Sequence, residues 1–303
     1  MGRVLVADPI ADSAVAKIEA AGHEIVKRNY DTDGPIEEQI KGFDCVVVRS
    51  ATKITKEVIE ASDKLKLVIR AGVGLDNVDI DAAKTKGVVV QNTPEAPTVS
   101  VAEMVFSLLF SLARNVTQAD SSMKDERWEK KKLKGTELWN KTLGIVGFGR
   151  IGQEVGKRAK AFDMEVLAYD VIDIDDACKE VGAKRADLKT IIEQADYISL
   201  HVPLLPQTKG MFGEKEFKTM KKTAFLVNTA RGGVVDEKAL LTALNEGEIA
   251  GAALDVFEKE PPVDWNVVKH PKLIATPHLA SSTGEAQVRV GDLTAQKVID
   301  GLK

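Results

Sequence analysis

The stretch from Thr142 to Asp170, TLGIVGFGRIGQEVGKRAKAFDMEVLAYD, constrains this chain more than any other. Its apolar start, Leu143 to Val146, has the length of a buried strand. Gly147, Gly149 and Gly152 follow in G-x-G-x-x-G spacing and open a helical stretch, Arg150 to Phe162. Each glycine has its own job. Gly147 permits the tight turn, Gly149 lets a pyrophosphate approach bare backbone, and Gly152 lets the helix pack close to the sheet. The free N–H groups and positive dipole end of that helix would face the phosphates. A second apolar run, Met164 to Tyr169, ends in Asp170, placed to hold the adenine-side ribose. Strand, turn, helix, second strand and acid together specify dinucleotide binding, which a glycine-rich turn alone does not. Asp170 also selects the cofactor. Its carboxylate repels a 2′-phosphate, and Val171 to Asp176 are apolar or acidic, with no Arg to accept one. NAD is expected rather than NADP.

A turn of this kind needs a parallel sheet beneath it. Apolar runs at Val4–Asp8, His23–Lys27, Asp44–Arg49, Lys66–Ala71 and Val88–Gln91 read as strands. Helical stretches at Ser13–Ala21, Pro35–Lys41, Thr55–Ala61 and Asp79–Lys86 lie between them. After Asp170, strands are expected at Tyr197–Val202, Ala224–Asn228, Gly251–Leu254 and Leu273–Thr276, and a last helix at Ala286–Leu302. Such alternation implies parallel sheets with helices on both faces, and 303 residues suggest two domains. Pro94 and Pro97 mark a crossing between them. Ser100-Val-Ala-Glu103 reads as a capping box opening a helix to about Arg114. That helix is apolar nearly all round, so cover is expected from the other domain or a second subunit. The run ERWEKKKLK, 126–134, reads as a solvated segment or as a loop touching a partner subunit.

A net charge of -4 argues against a nucleic-acid or anionic-membrane binder. Cys45 and Cys178 make neither a disulfide framework nor a metal cluster and are expected as buried thiols, as in a reducing cytosol. Arg3 is followed at once by the strand-like run from Val4, so no signal peptide is expected. The longest apolar run, Met104 to Ala113, is too short to span a bilayer. A cytoplasmic location is expected.

Ligands of open parallel sheets bind at the carboxyl ends of strands. In the first half those ends carry Arg49-Ser50-Ala51-Thr52-Lys53 and Arg70-Ala71-Gly72-Val73-Gly74. Arg49, Lys53 and Arg70 can hold a phosphate or carboxylate, with glycine N–H groups beside them, or be ordinary surface charges. In the second half Arg231, Glu260 and His278 each follow an apolar strand. Hydride chemistry at a carbon bearing oxygen also needs a proton, usually from His near neutral pH. There are four His. His23 lies far back in the first half, His270 precedes Pro271 on a turn, and His201 sits in a strand as a core His would. His278 remains as the proton donor. Glu260 is placed to favour its charged form and fix its tautomer, and Arg231 to clamp a carboxylate and polarise the carbonyl beside it.

These segments, VRSATK (48–53), RAGVGLDNVD (70–79), GFGRIG (147–152), NTARGG (228–233), ALDVF (253–257), EPP (260–262) and PH (277–278), run almost end to end. The chain resembles the D-isomer-specific 2-hydroxyacid dehydrogenase family in all of them. The resemblance implies two doubly wound domains with a cleft between them: a flavodoxin-like substrate domain at 1–97 and 282–303, and a Rossmann NAD-binding domain at 98–281. It implies Arg231 on the substrate carboxylate and carbonyl, and His278 as general acid/base with Glu260 as its partner. Arg150 and Ile151 would lie along the pyrophosphate, Asp170 on the ribose, and Asp255 on the nicotinamide carboxamide. Val202, Thr229, Ala230, His278, Ala280 and Ser281 would complete the cofactor contacts. Arg49, Ser50, Lys53, Arg70 and the backbone of Val73 and Gly74 would bind substrate. A homodimer through the cofactor domain is implied as well. The three cations favour 3-phospho-D-glycerate as the hydroxy acid over glyoxylate, hydroxypyruvate or another small 2-keto acid. A non-enzymatic NAD sensor is a more distant possibility. Two departures stand out: Pro97 replaces an Asn common near the substrate, and the sequence ends at Lys303 without the serine-binding regulatory domain many members carry. Serine feedback through such a domain is not expected.

Overall fold

The computed structural model describes residues 1–29 and 32–303. Contacts gather the chain into two compact units, residues 1–97 with 282–303, and residues 98–281. The first unit holds strands β1 (Arg3–Val6), β2 (Glu24–Lys27), β3 (Cys45–Val48), β4 (Leu67–Arg70) and β5 (Val89–Asn92), in the order β2-β1-β3-β4-β5. All pair in parallel, which gives a flavodoxin-like sheet. Strand β3, Cys-Val-Val-Val, is buried throughout because helices cover both faces. Val4, Val6, Cys45, Val47 and Ile69 pack under Ile18, Ala295 and Val298 on one face. Leu5, Val46, Val48 and Val68 pack under Ile36, Ile40, Val58 and Ile59 on the other. The last helix, Gly284–Gly301, thus belongs to the first unit, packed on helix Asp12–Ala20 and on β4.

The second unit holds seven parallel strands: β6 (Thr142–Val146), β7 (Glu165–Tyr169), β8 (Lys184–Arg185), β9 (Tyr197–Leu200), β10 (Phe225–Asn228), β11 (Gly251–Leu254) and β12 (Leu273–Ala275). Their order is β12-β11-β10-β9-β6-β7-β8. The order reverses between β6 and β9, the switch point at which such sheets bind ligands. The glycine turn leaves β6 at that point.

Helix Thr98–Arg114 departs from expectation in two ways. It starts two residues before Ser100, so Ser100 is buried inside the first turn rather than standing ahead of it. Pro97 stands where the chain enters the helix. Nor does the helix need cover on every side. Val105, Phe106, Leu109 and Leu112 face the core of their own unit, while Val99, Glu103 and Ser107 stay exposed along one stripe. The segment 126–134 is exposed for most of its length, with Trp128 78% accessible. Both cysteines are free and buried, and burial pushes the Cys45 thiol far up. Among the described residues no single helix is long and apolar enough to cross a membrane.

Candidate active site

The three glycines of the turn differ in what their missing side chains meet. At Gly147, φ is +93°, and a Cβ would come within 2.5 Å of the His201 carbonyl oxygen and 3.1 Å of Val202 Cγ1. At Gly152 a Cβ would overlap the Gly147 carbonyl, so this glycine serves the packing of helix Arg150–Ala161 on β6. At Gly149 a Cβ would meet no atom within 4 Å. Packing does not require that glycine, whereas close approach of a ligand does. The helix it opens has no side-chain cap and no acid in its first turn, where Arg150 is exposed. Ile151 turns its side chain to the core. Asp170, after β7, accepts the Phe148 N–H at 2.7 Å and the Val171 N–H at 2.7 Å, which ties this acid to the glycine turn. Nearby in the sheet order, Thr229 follows β10, and its hydroxyl is buried without a partner among the described residues. A buried hydroxyl left so is costly unless a ligand completes it. An uncapped helix, an open Gly149, an acid after β7 and a buried unbonded hydroxyl fit NAD.

Beyond β10, β11 and β12 lie the residues of the chemistry. His278 Nδ1 and Glu260 Oε2 are 2.7 Å apart. The other oxygen of Glu260 accepts the Phe257 N–H at 3.1 Å, so the carboxylate is held on both sides. With Nδ1 bonded to an acid, Nε2 is the ring nitrogen left to face a substrate. His278 has φ +53°, rare for a residue with a side chain. Its N–H donates to the Asp255 carbonyl at 2.8 Å. The Asp255 carboxylate, wholly buried, accepts from Thr276 Oγ1 at 2.6 Å, Leu279 N at 2.7 Å and Ala280 N at 2.8 Å. Asp255 therefore holds the loop that carries His278, and it is to that loop that its carboxylate is bonded. Ser281 is exposed at the end of this loop. Arg231 is half-buried, and Asn228 fixes its loop by donating to the Arg231 carbonyl at 2.9 Å and accepting from Ala230 N at 3.0 Å.

Gly232 was not singled out from the sequence. A Cβ there would overlap the Phe257 carbonyl, so the loop of Arg231 presses against the loop of Glu260 only because position 232 is glycine. The signal was present as the pair Gly232-Gly233 after Arg231. His201 lies just past β9, its Nε2 2.8 Å from the Ser199 hydroxyl. Burial pushes its imidazole down to about 3, so it stays neutral and is no rival to His278 as proton donor near pH 7.

In the first unit, Arg49, Ser50 and Lys53 are exposed on the loop after β3. Arg70 ends β4 and folds its guanidinium across Gly72, where a Cβ would displace it. Val73 and Gly74 are half-buried, the Val73 carbonyl accepting from Asn92 Nδ2 at 2.5 Å and the Gly72 carbonyl from Thr93 N at 2.9 Å.

A glycine turn at the switch point of a parallel sheet, an acid after the next strand and an imidazole–carboxylate pair lie on one dinucleotide-binding fold. The chain belongs to the D-isomer specific 2-hydroxyacid dehydrogenases, whose NAD binding domain matches residues 106–280. D-3-phosphoglycerate dehydrogenase of Methanocaldococcus jannaschii is 46% identical over 98% of this chain, and that of Bacillus subtilis 44% over 100%. The chain spans 57% of the length of each of these relatives. Among solved structures, a protein from Thermus thermophilus superposes with a TM-score of 0.90 at 31% identity, covering 99% of this chain and 96% of its own. D-lactate dehydrogenase from Aquifex aeolicus, solved with NAD and lactic acid, gives 0.85 at 30% identity, covering 98% and 94%.

Proposed function

We propose that the protein interconverts 3-phospho-D-glycerate and 3-phosphohydroxypyruvate with NAD, the oxidation that opens serine biosynthesis. The observation that carries the chemistry is the 2.7 Å bond between His278 Nδ1 and Glu260, which leaves Nε2 for the substrate oxygen. The names of the relatives at 46% and 44% identity support the substrate, as do the exposed cations Arg49 and Lys53 and the placement of Arg70. NAD, when bound, takes or supplies the hydride.

The chain's own residues do the rest. Arg231 grips the carboxylate and polarises the neighbouring carbonyl oxygen. In reduction, His278 hands a proton from Nε2 to the oxygen that gains charge, and in oxidation it takes that proton back. Glu260 orients the ring through Nδ1–H. Gly147, Gly149, Arg150 and Ile151 carry the pyrophosphate, with Gly152 seating their helix on β6, Asp170 carries the ribose, and Val202, Thr229, Ala230, Ala280 and Ser281 the rest of the cofactor. Asp255 carries the His278 loop at the nicotinamide end. Arg49, Ser50, Lys53 and Arg70 take the phosphate, and the backbone of Val73 and Gly74 the carboxylate. Residues 1–97 and 282–303 act as the substrate domain and 98–281 as the cofactor domain. The enzyme works in the cytoplasm as a homodimer joined through the cofactor domain. The exposed Trp128 and the half-exposed Phe162, packed against Phe106 and Phe110, support that contact.

The test is a panel of phosphorylated and plain 2-oxo acids followed by NADH absorbance. Preference for 3-phosphohydroxypyruvate supports the reading. Preference for glyoxylate or plain hydroxypyruvate makes the protein a reductase of small 2-keto acids instead. NADH binding without turnover of any acid would leave a sensor.

A further inference from the structure

The loop after β3 is clamped by two residues outside the expected substrate set. Asp8, two residues past β1, is 2% exposed. Its Oδ2 accepts the backbone N–H of Arg49 at 2.5 Å and of Thr52 at 3.2 Å, and its Oδ1 accepts the Thr52 hydroxyl at 2.7 Å. Asn77 works on the opposite backbone groups. Its Nδ2 donates to the Arg49 carbonyl at 2.8 Å and the Thr52 carbonyl at 2.6 Å. The N–H and C=O of Arg49 and Thr52 are therefore all engaged, and the four-residue loop is closed on itself.

Asn77 is also continuous with the second anion loop, since it follows Gly74 by three residues. Its carbonyl accepts Ile54 N at 2.8 Å, and Asp79 N donates to the Ile54 carbonyl at 2.8 Å, a parallel bridge between the segments that follow the two loops. One amide thus ties the end of β3 to the segment beyond β4.

We propose that Asp8 and Asn77 are positioning residues that hold the Arg49–Lys53 loop in its anion-binding shape, and so set affinity for the substrate's phosphate without touching it. This rests on the substrate reading above. The physical logic is that a flexible loop must be ordered at binding, and that ordering subtracts from affinity. Asp8 and Asn77 order it in advance. Because Asp8 takes up the backbone N–H groups of Arg49 and Thr52, the phosphate is left to the exposed side chains of Arg49, Ser50 and Lys53.

The experiment measures steady-state reduction of 3-phosphohydroxypyruvate and of hydroxypyruvate by wild type, Asp8→Asn, Asn77→Ala, Thr52→Val and Thr52→Ser. The expected result is a KM for the phosphorylated substrate raised about tenfold or more in Asp8→Asn and Asn77→Ala, the scale of one charged hydrogen bond. Thr52→Val should rise less, and Thr52→Ser, which keeps the hydroxyl, should match wild type. In all four, kcat and the KM values for hydroxypyruvate and NADH should stay near wild type, which a general loss of structure would not allow. If Asp8→Asn does not fold, the Thr52→Val and Thr52→Ser pair carries the comparison. Unchanged phosphate-substrate KM in Asn77→Ala and Thr52→Val overturns the proposal, and so do equal losses on every substrate. A wild type that ignores 3-phosphohydroxypyruvate overturns the substrate reading instead. The same variants are then compared on KM for the best plain acid, where an unmoved KM would overturn the loop's role too.

Discussion

His278 pays for its position with an unusual backbone, φ +53°, held by the Asp255 carbonyl and, through Leu279 and Ala280, by the Asp255 carboxylate. Strain of this kind persists where the surroundings over-determine it and often marks a working residue. His278→Ala should lower kcat by about 10²–10⁴, the usual worth of a placed acid/base, with NADH binding retained in fluorescence titration. A near-normal kcat would leave the site without its proton donor. In the proposed reaction, reduction needs a proton on Nε2 and oxidation needs that nitrogen bare. Glu260→Gln replaces the carboxylate bonded to Nδ1 and should lower kcat while NADH binding is retained. An unchanged kcat would take Glu260 out of the mechanism. His201 gives a separate pH signature. Its folded pKa of about 3 lies below the ordinary 6.5, so the unfolded chain binds more protons between those values. Its contribution to stability is present above pH 6.5 and lost as pH falls toward about 3, by up to ~1.4 kcal/mol per pH unit. His201→Gln should flatten that decline in urea midpoints measured across pH.

At the scale of elements, the glycine turn separates packing from binding. A methyl at Gly149 meets no protein atom, so Gly149→Ala should leave the urea midpoint unchanged and weaken NADH. A methyl at Gly152 overlaps the Gly147 carbonyl, so Gly152→Ala should destabilise the fold by about 1–3 kcal/mol, the cost of overpacking. Equal loss of NADH affinity without destabilisation in both would refute this division of labour. Strand positions were legible from apolar runs because buried parallel strands are continuous hydrophobic stretches. The start of helix Thr98–Arg114 was not. Ser100 and Glu103 have the spacing of a cap, but the entry of the chain after Pro97 begins the helix earlier and buries Ser100.

For the molecule as a whole, the proposed dimer should appear in sedimentation at micromolar concentration, joined through the cofactor unit. A stable monomer would count against the role given to Trp128 and Phe162. The sequence by itself determined the glycine turn, the acid at Asp170 after the second strand, the alternating strands and the placement of Arg231, Glu260 and His278 after β10, β11 and β12. These are encoded in local spacing, and in parallel sheets local spacing fixes which strand end a residue occupies. Only the tertiary structure decided which groups those residues actually bond. Glu260 reaching His278 across 18 residues, Gly232 yielding room to the Phe257 carbonyl, and Asp8 taking its donors from a loop 41 and 44 residues away are contacts between strand ends. They exist because neighbouring strands in the sheet are distant in the chain, and no run of residues records which strand lies beside which.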